Sequence, residues 1–397
     1  MSKVKYIHLK EICDVNQGLQ IPISKRYKNM ASNRYFYITI QFLKDNIEDR
    51  TYIENPPKST ICKRDDILIT RTGSTGKVIT NVEGCFHNNF FKINYDKSKI
   101  YGKYLYYCLT SKEKQKEMNT RAGITTIPDL NHFMFLDIKI PYFNLDTQKK
   151  IASILSTIDK KIEINNKINQ KLEAMAKTLY DYWFIQFDFP NSEGKPYKSS
   201  GGKMVYSEEL KREIPEGWKI GKLEDIVNIF DAKRIPLSKQ ERGKRQGKYP
   251  YYGATSIMDY IDDYIFDGDY ILLAEDGSIM DDKGFPIIQY IWGKTWVNNH
   301  AHVLSAKDKF NNEFLFQFLK MISVVQIMTG SIQKKINQEN LLSVNIFIPK
   351  NNLLKKFANF SIPIRKKLIN NIEENQKLTK LRDWLLPMLM NGQVRIK

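Results

Sequence analysis

An internal repeat of roughly half the chain constrains this sequence more than any other feature, because whatever it folds into must be built twice. Asp66-Ile67-Leu68-Ile69-Thr70-Arg71-Thr72-Gly73-Ser74 lies over Asp269-Tyr270-Ile271-Leu272-Leu273-Ala274-Glu275-Asp276-Gly277-Ser278. Each is a short apolar run entering a polar loop that closes on Gly-Ser. Further on, Asn88-Asn89-Phe90 matches Asn298-Asn299-His300, and Tyr104-Leu105-Tyr106-Tyr107 matches Phe314-Leu315-Phe316-Gln317. Ile140-Pro141 closes the first copy as Ile348-Pro349 closes the second. The offset drifts between about 204 and 210, as it does when loops differ in length. Single matches of this kind are weak; their common order is not.

Each copy reads as mixed α/β (α+β). Strand-like runs such as Tyr35–Ile40, Ile67–Thr70 and Ile138–Ile140 alternate with Gly- or Asn-bearing turns and one helix near Tyr101–Cys108. A long helix follows each copy. Between Tyr142 and Phe189 there is neither Gly nor Pro, which favours one continuous helix, and Asp146 suits its first turn. Ile151, Leu155, Ile158, Ile162, Asn165, Asn169, Leu172, Ala176, Leu179 and Trp183 follow alternating steps of four and three, a heptad seam about 50 Å long. At an offset of 206, Phe357, Ile364, Leu368, Asn371, Asn375, Leu378 and Leu385 take the equivalent positions, and Asn169-Gln170-Lys171-Leu172 recurs as Asn375-Gln376-Lys377-Leu378. Ser361 and Arg382 interrupt the second seam. Pro363 is expected to break or start the helix there, leaving a shorter regular part that ends before Pro387.

Asn on a seam costs stability and fixes register. If the two helices pack antiparallel about a pseudo-twofold axis, Asn165 and Asn169 should meet Asn371 and Asn375 near it. The alternatives are a looser bundle with these Asn in solvent, or a parallel pair that stacks both copies at one end. The expected fold is therefore two mixed α/β domains in pseudo-twofold repeat, alternating with two long helices that form an antiparallel coiled-coil spacer.

Lys and Arg number 62 against 44 Asp and Glu, a formal charge of +18, which favours a polyanionic partner, although a generally Lys-rich surface would give the same sum. No run of eighteen apolar residues exists, and Met1–Gln20 carries Lys3, Lys5, Lys10, Glu11 and Asp14 in place of a signal core, so a cytoplasmic chain is expected. Cys13, Cys62, Cys85 and Cys108 lack metal-ligand spacing and read as free thiols. His300 and His302 can share a strand face, but spacing suggests no third ligand, so no metal site is expected.

Trp218-Lys219-Ile220-Gly221-Lys222-Leu223-Glu224-Asp225-Ile226 resembles the start of a target-recognition domain in the specificity subunits of type I restriction–modification systems. So does Tyr249-Pro250-Tyr251-Tyr252-Gly253-Ala254 followed by Asp269–Ser278. Ile158–Phe184, with Leu179-Tyr180 and Trp183-Phe184, is similar to the central conserved helix of that family. Leu381-Arg382-Asp383-Trp384-Leu385-Leu386-Pro387-Met388-Leu389-Met390-Asn391-Gly392 resembles its C-terminal helix and tail. The first copy opens with Tyr6-Ile7-His8-Leu9-Lys10-Glu11-Ile12, without the Trp of the second, so its identity rests mainly on the repeat.

The resemblance implies a first recognition domain at 1–143, a central helix at 144–187, a linker at 188–217, a second recognition domain at 218–350, and a C-terminal helix and tail at 351–397. It further implies a non-catalytic subunit whose domains each read half of a bipartite double-stranded DNA site through the major groove. The helices would set the gap; about 50 Å matches on the order of 14 base pairs. Two modification (methyltransferase) subunits would dock and methylate adenine N6 with S-adenosylmethionine held on those subunits, and restriction subunits (ATP-dependent translocase and nuclease) would join the full complex. No cofactor is expected on this chain. Met175, Leu179, Trp183 and Trp384 could pack within the helix pair or dock a partner, and spacing does not distinguish the two.

DNA recognition needs Arg, Lys, Asn or Gln near base edges with neutralising charge around them. In the first copy the candidates are Arg71, Thr72, Ser74 and Lys77 in a Gly-bearing loop, Arg121 and Thr125 in a second, and Lys25 with Arg26. In the second they are Lys233, Arg234, Arg242, Lys244 and Arg245 beside the aromatic Tyr251 and Tyr252, then Ser278, Lys334 and Lys335. For any one of them a solvated surface charge is the competing reading. The helix-pair seam is expected at Ile158, Ile162, Asn165, Asn169, Leu172, Leu368, Asn371, Asn375 and Leu378.

Catalytic readings fail on the residues. Gly73-Ser74-Thr75-Gly76-Lys77-Val78 lacks the spacing and the Ser or Thr after Lys that a phosphate-binding loop needs. Asn55-Pro56-Pro57-Lys58 places Lys where an adenine methyltransferase needs an aromatic ring. Glu275-Asp276 beside Asp269 lacks a following nuclease Lys, and Arg71-Thr72 replaces it in the other copy. A fused nuclease or methyltransferase, and a scaffold with incidental charge, are the competing classes; neither accounts for two domains alternating with two matched helices.

Overall fold

A computed structural model of the chain describes residues 4–44, 50–123, 128–330 and 334–394. It divides into two compact units, Met1–Ile164 with Glu374–Lys397, and Asn165–Glu373, so each long helix contributes to both.

The first unit holds two four-stranded sheets. One is antiparallel, in the order Cys13–Gln17, Phe90–Tyr95, Ile67–Thr70, Val78–Ile79. The other runs Tyr52–Glu54, Arg34–Ile38, Gly84–Phe86, Ile61–Cys62 and has one parallel pairing, Tyr37 with Cys85. Lys5–His8 pairs with Lys139–Tyr142, tying the start of the domain to its end. Helices α1 (Gly102–Thr110), α2 (Lys112–Ala122) and α3 (His132–Leu136) complete it.

All four residues of Ile67–Thr70 are buried, because both faces of the strand are covered. Ile67 and Ile69 pack with Tyr104 and Leu105 of α1, while Leu68 packs with Ile38, Cys62 and Phe86 toward the second sheet. The thiols of Cys13, Cys62, Cys85 and Cys108 are free, and burial pushes those of Cys62 and Cys108 up to about 12, out of the reactive range.

After these elements comes α4, Leu145–Tyr180. The second unit then repeats both four-stranded sheets in the same strand order, and adds two strand pairs, Met204–Ser207 with Arg212–Pro215 and Met328–Thr329 with Lys335–Ile336. Val227–Ile229, Ala301–Ala306, Tyr270–Ala274 and Ile288–Ile291 form one sheet. Ile257–Ile261, Gln246–Tyr252, Lys294–Val297 and Phe266–Asp267 form the other, again with one parallel pairing, Tyr251 with Trp296. Helices α5 (Lys239–Lys244), α6 (Asn312–Leu319) and α7 (Gln338–Leu342) precede α8, Asn351–Met390. The repeat read from the sequence is thus a repeat of topology.

Two expectations for the helices need correction. Pro363 and Pro387 lie inside α8 and do not end it. Both prolines are exposed, and the carbonyl that Pro363 deprives of a donor belongs to Asn359 on the same exposed face, where water can replace the lost bond. The helix Tyr142–Phe189 also stops short. Its α-helical hydrogen bonds end at Tyr180, one wider turn covers Asp181–Ile185, and Phe187 turns left-handed at φ 66°. That turn seats Trp183, Phe184 and Phe187 in the core of the second unit against Trp218.

Within each unit the two helices run antiparallel. In the first, Arg382 donates to Asp159 at 2.8 Å and Lys161 pairs with Glu374 at 3.4 Å. Arg382, which interrupts the apolar seam, thereby gains a partner. In the second, Phe357 meets Tyr180 and Trp183, while Asn371 Nδ2 donates to Asn169 Oδ1 at 2.8 Å and Asn169 Nδ2 reaches the Leu368 carbonyl at 3.4 Å. Asn165, Asn169, Asn371, Ile158 and Leu368 are buried; Ile162, Leu172, Asn375 and Leu378 are half-buried.

Replacing Asn371 by Ala strands the buried Asn169 carbonyl. The expected cost is about 1–3 kcal/mol, read as a lower urea midpoint at unchanged slope.

Candidate nucleic-acid interface

In each copy, the loop that leaves the central strand, Ile67–Thr70 or Tyr270–Ala274, is pinned at its first residue. The Arg71 N–H donates to the Asn89 carbonyl at 2.8 Å and the Arg71 carbonyl accepts from Leu130 N–H at 3.0 Å. Glu275 does the same with His300 at 2.9 Å and Ile336 at 2.9 Å. Beyond this anchor, Gly73 and Gly76 take left-handed conformations, φ 82° and 81°, and the Thr70 hydroxyl donates to the Ser74 carbonyl. Gly73, Ser74, Thr75 and Lys77 line an open groove together with Gln115 and Asn119 of α2.

The candidate arginines are bound internally. Arg71 makes a bidentate pair with Asp129, at 2.9 and 2.6 Å, and lies over the Phe91 ring. Arg121 donates to Glu117 and Asp137 on its own side of the domain. Arg26 sits over the Tyr37 ring and donates twice to the Ile21 carbonyl, at 3.0 and 2.8 Å. Arg242 repeats this arrangement over Tyr251, donating to the Leu237 carbonyl at 2.7 Å. Arg245 pairs with Asp262 and covers Trp296. Tyr251 itself is 1% exposed, its hydroxyl accepting from Leu237 N–H, so it supports the loop from within. Tyr252 is half-buried, and burial pushes its hydroxyl up to about 12.

The lysines behave differently. Lys25, Lys77, Lys233, Lys244 and Lys334 are exposed, with no ion pair among the described residues; Lys233 leans on the Phe230 ring. A planar guanidinium fork stacks and pairs readily, whereas an ammonium group prefers water. Ser74 and Ser278 are exposed at their loop tips and Thr72 is half-buried. Thr125 lies outside the described residues.

Lys335 belongs with the arginines. It pairs with Glu275 at 2.8 Å, inside a network the sequence reading missed. Arg234 donates to Glu275 at 2.7 Å and to the Ala301 carbonyl at 2.7 Å, and lies 3.5 Å from Asp231. His302 Nδ1 meets Asp231 at 2.6 Å and its Nε2 donates to the Ile336 carbonyl at 2.8 Å. Asp231, Glu275 and His302 are close enough together to hold a metal ion. Arg234 and Lys335 already supply the positive charge that an ion would bring, so the cluster is complete as an ion network. Asp231 gave no sequence signal, since a lone Asp some 40 residues before Glu275 has no motif spacing.

Burial pushes the Asp231 carboxyl up, but hydrogen bonds from His302, Val303 N–H and Gln338 outweigh it and hold the group below its ordinary value. Glu275 is likewise held down against burial by Lys335 and Arg234.

The sequence model described as the type I restriction modification DNA specificity domain matches residues 1–174 and 215–374. The chain belongs to that family. It is 26% identical to the MjaIX type I restriction enzyme specificity subunit of Methanocaldococcus jannaschii, over 93% of this chain and 86% of the relative. It is 26% identical to the MjaVIII specificity subunit of the same organism, over 91% and 87%. The solved type I restriction–modification S subunit from M. genitalium shares the fold, with a TM-score of 0.65 at 18% identity, covering 100% of this chain and 98% of that one. No helix among the described residues is long and apolar enough to cross a membrane.

Because both carboxylates are depressed, their contribution is complete above the ordinary carboxyl range and is lost as pH falls through the lowered values. The melting temperature should fall as the pH drops below about 5. In Asp231→Asn, which starts less stable, calorimetry should show a shallower fall over the same range.

Proposed function

We propose that this chain is the non-catalytic DNA-recognition subunit of a cytoplasmic type I restriction–modification complex, with residues 1–143 and 218–350 each reading one half of a bipartite site. The observation that carries this reading is the duplicated strand and loop, with identical topology and different loop chemistry. Two copies of one scaffold whose loops diverge at matched positions suit two different half-site sequences; they suit a duplicated active site poorly. The exposed lysines around the loops neutralise phosphates, and loop-tip side chains such as Thr72, Ser74 and Ser278 approach base edges. The half-buried arginines, each with an internal partner, hold the loops from beneath.

The helices at 144–187 and 351–397 set the gap between half-sites and dock two modification subunits, while 188–217 links the first helix to the second reader. Adenine N6 methylation uses S-adenosylmethionine on the modification subunits, and restriction subunits complete the assembly. Exposed apolar residues support the docking role. Ile168, Met175 and Tyr182 recur every seven residues, with Met175 56% exposed, and Leu381 and Trp384 lie open on α8, Trp384 at 55%.

The test is base-resolved adenine methylation of the host genome with the gene intact and deleted. Loss of one split motif, two short blocks at a fixed separation, is expected; an unchanged methylome in a host expressing the modification subunits would sink the reading. Lys77→Ala should weaken binding of the assembled complex to all duplexes alike and lower the salt slope by about 0.9.

A further inference from the structure

The two copies exchange the charges of one ion pair. Arg71 and Glu275 are topologically equivalent, each the first residue after the buried strand, with the same two backbone hydrogen bonds. Asp129 and Lys335 are equivalent as well: isolated bridges join Thr72 to Asp129 and Asp276 to Lys335. Arg71 binds Asp129 at 2.6 Å in one copy, and Lys335 binds Glu275 at 2.8 Å in the other. The geometry is kept while both signs are reversed.

The surroundings follow the reversal. Phe91 and His302 are equivalent, since Thr70 pairs with Phe90 and Ala274 with Ala301. Beneath the Arg71 guanidinium lies the Phe91 ring, a face that attracts a cation. Beneath the Glu275 carboxylate stand His302 at 3.8 Å and Arg234 at 2.7 Å, donors that suit an anion. A residue selected for its contact with a phosphate would not become a glutamate at the matched position. A residue selected for holding two loops together can, provided its partner changes too.

We infer that Arg71–Asp129 and Lys335–Glu275 are loop clasps: positioning residues that fix the reading loop after the buried strand against the segment before Leu130 or Ile336, without contacting DNA themselves. The inference rests on the proposal that these loops read DNA. It assigns Arg71 and Lys335 a role opposite to that of Lys77 and Lys334, which have no ion pair among the described residues.

The test is a charge-exchange cycle in the full chain, assembled with its modification subunits. Arg71→Glu, Asp129→Lys and the double variant are titrated with a duplex carrying the split motif and with one of scrambled sequence. Each single variant should lose about tenfold in affinity for the motif duplex, with binding to the scrambled duplex unchanged. The double variant should recover part of the loss, to about threefold below the parent because the Phe91 ring beneath does not favour a carboxylate, with an unchanged salt slope. A double variant as weak as Arg71→Glu, with the slope lowered by about 0.9, would show Arg71 on a phosphate and overturn the clasp. Single variants that bind like the parent would also overturn it. Amide hydrogen exchange at Leu130, measured without DNA, keeps the two ideas apart. Faster exchange in the singles and recovery in the double support the clasp, while a parent that fails to prefer the motif duplex refutes the DNA reading.

Discussion

Everything in each domain is placed by one strand whose two faces are both buried. Ile67–Thr70 and Tyr270–Ala274 have a helix-backed core on one side and a second sheet on the other. Such a strand cannot slip by one residue without driving its inward side chains into the wrong layer, so its register is fixed. The residue that follows it, Arg71 or Glu275, is therefore delivered to a fixed point at the edge of the core. A loop starting from a fixed point, and anchored there by backbone bonds on both sides, is a suitable place to vary side chains without disturbing the fold.

The helices close these cores from a distance along the chain. Leu386, Leu389 and Met390 of α8 join Ile151 and Leu155 of α4 in the core of the first unit. Trp183, Phe184 and Phe357 do the same in the second. Neither domain core is complete without the helical segments packed on it, which couples folding of each reader to formation of the helix pair. The Asn169–Asn371 bond then adds specificity where apolar residues would add only area, since a shift along either helix would bury two amides without partners.

How the positive charge is used is the chief lesson about function. The six arginines singled out in the sequence all have internal partners, a carboxylate or a carbonyl, and several also lie over an aromatic ring. Five of the lysines stand in solvent. Sequence reading weighed the two alike because both add one to the net charge. The structure separates them by chemistry: a guanidinium can satisfy a carboxylate and a ring at once, and is spent on the scaffold, while a flexible ammonium group stays available to phosphates. The matched offsets held a clue, because Arg71 and Asp129 align with Glu275 and Lys335, but opposite charges in an alignment look like divergence until the pair is seen together.

By itself the sequence determined the duplication, the buried strands and the helical seam, since these are patterns of apolar residues with the periods of the backbone, and backbone geometry is local. It misjudged Pro363 and Pro387, whose effect depends on whether the freed carbonyl faces water, and it read the first helix past Tyr180, where core packing bends the chain. It also found no cluster in Asp231, Glu275 and His302, and no clasp in Arg71 and Asp129. Those residues stand tens of positions apart, and only the tertiary fold decides which charges meet, because an ion pair depends on distance in space and carries no period along the chain.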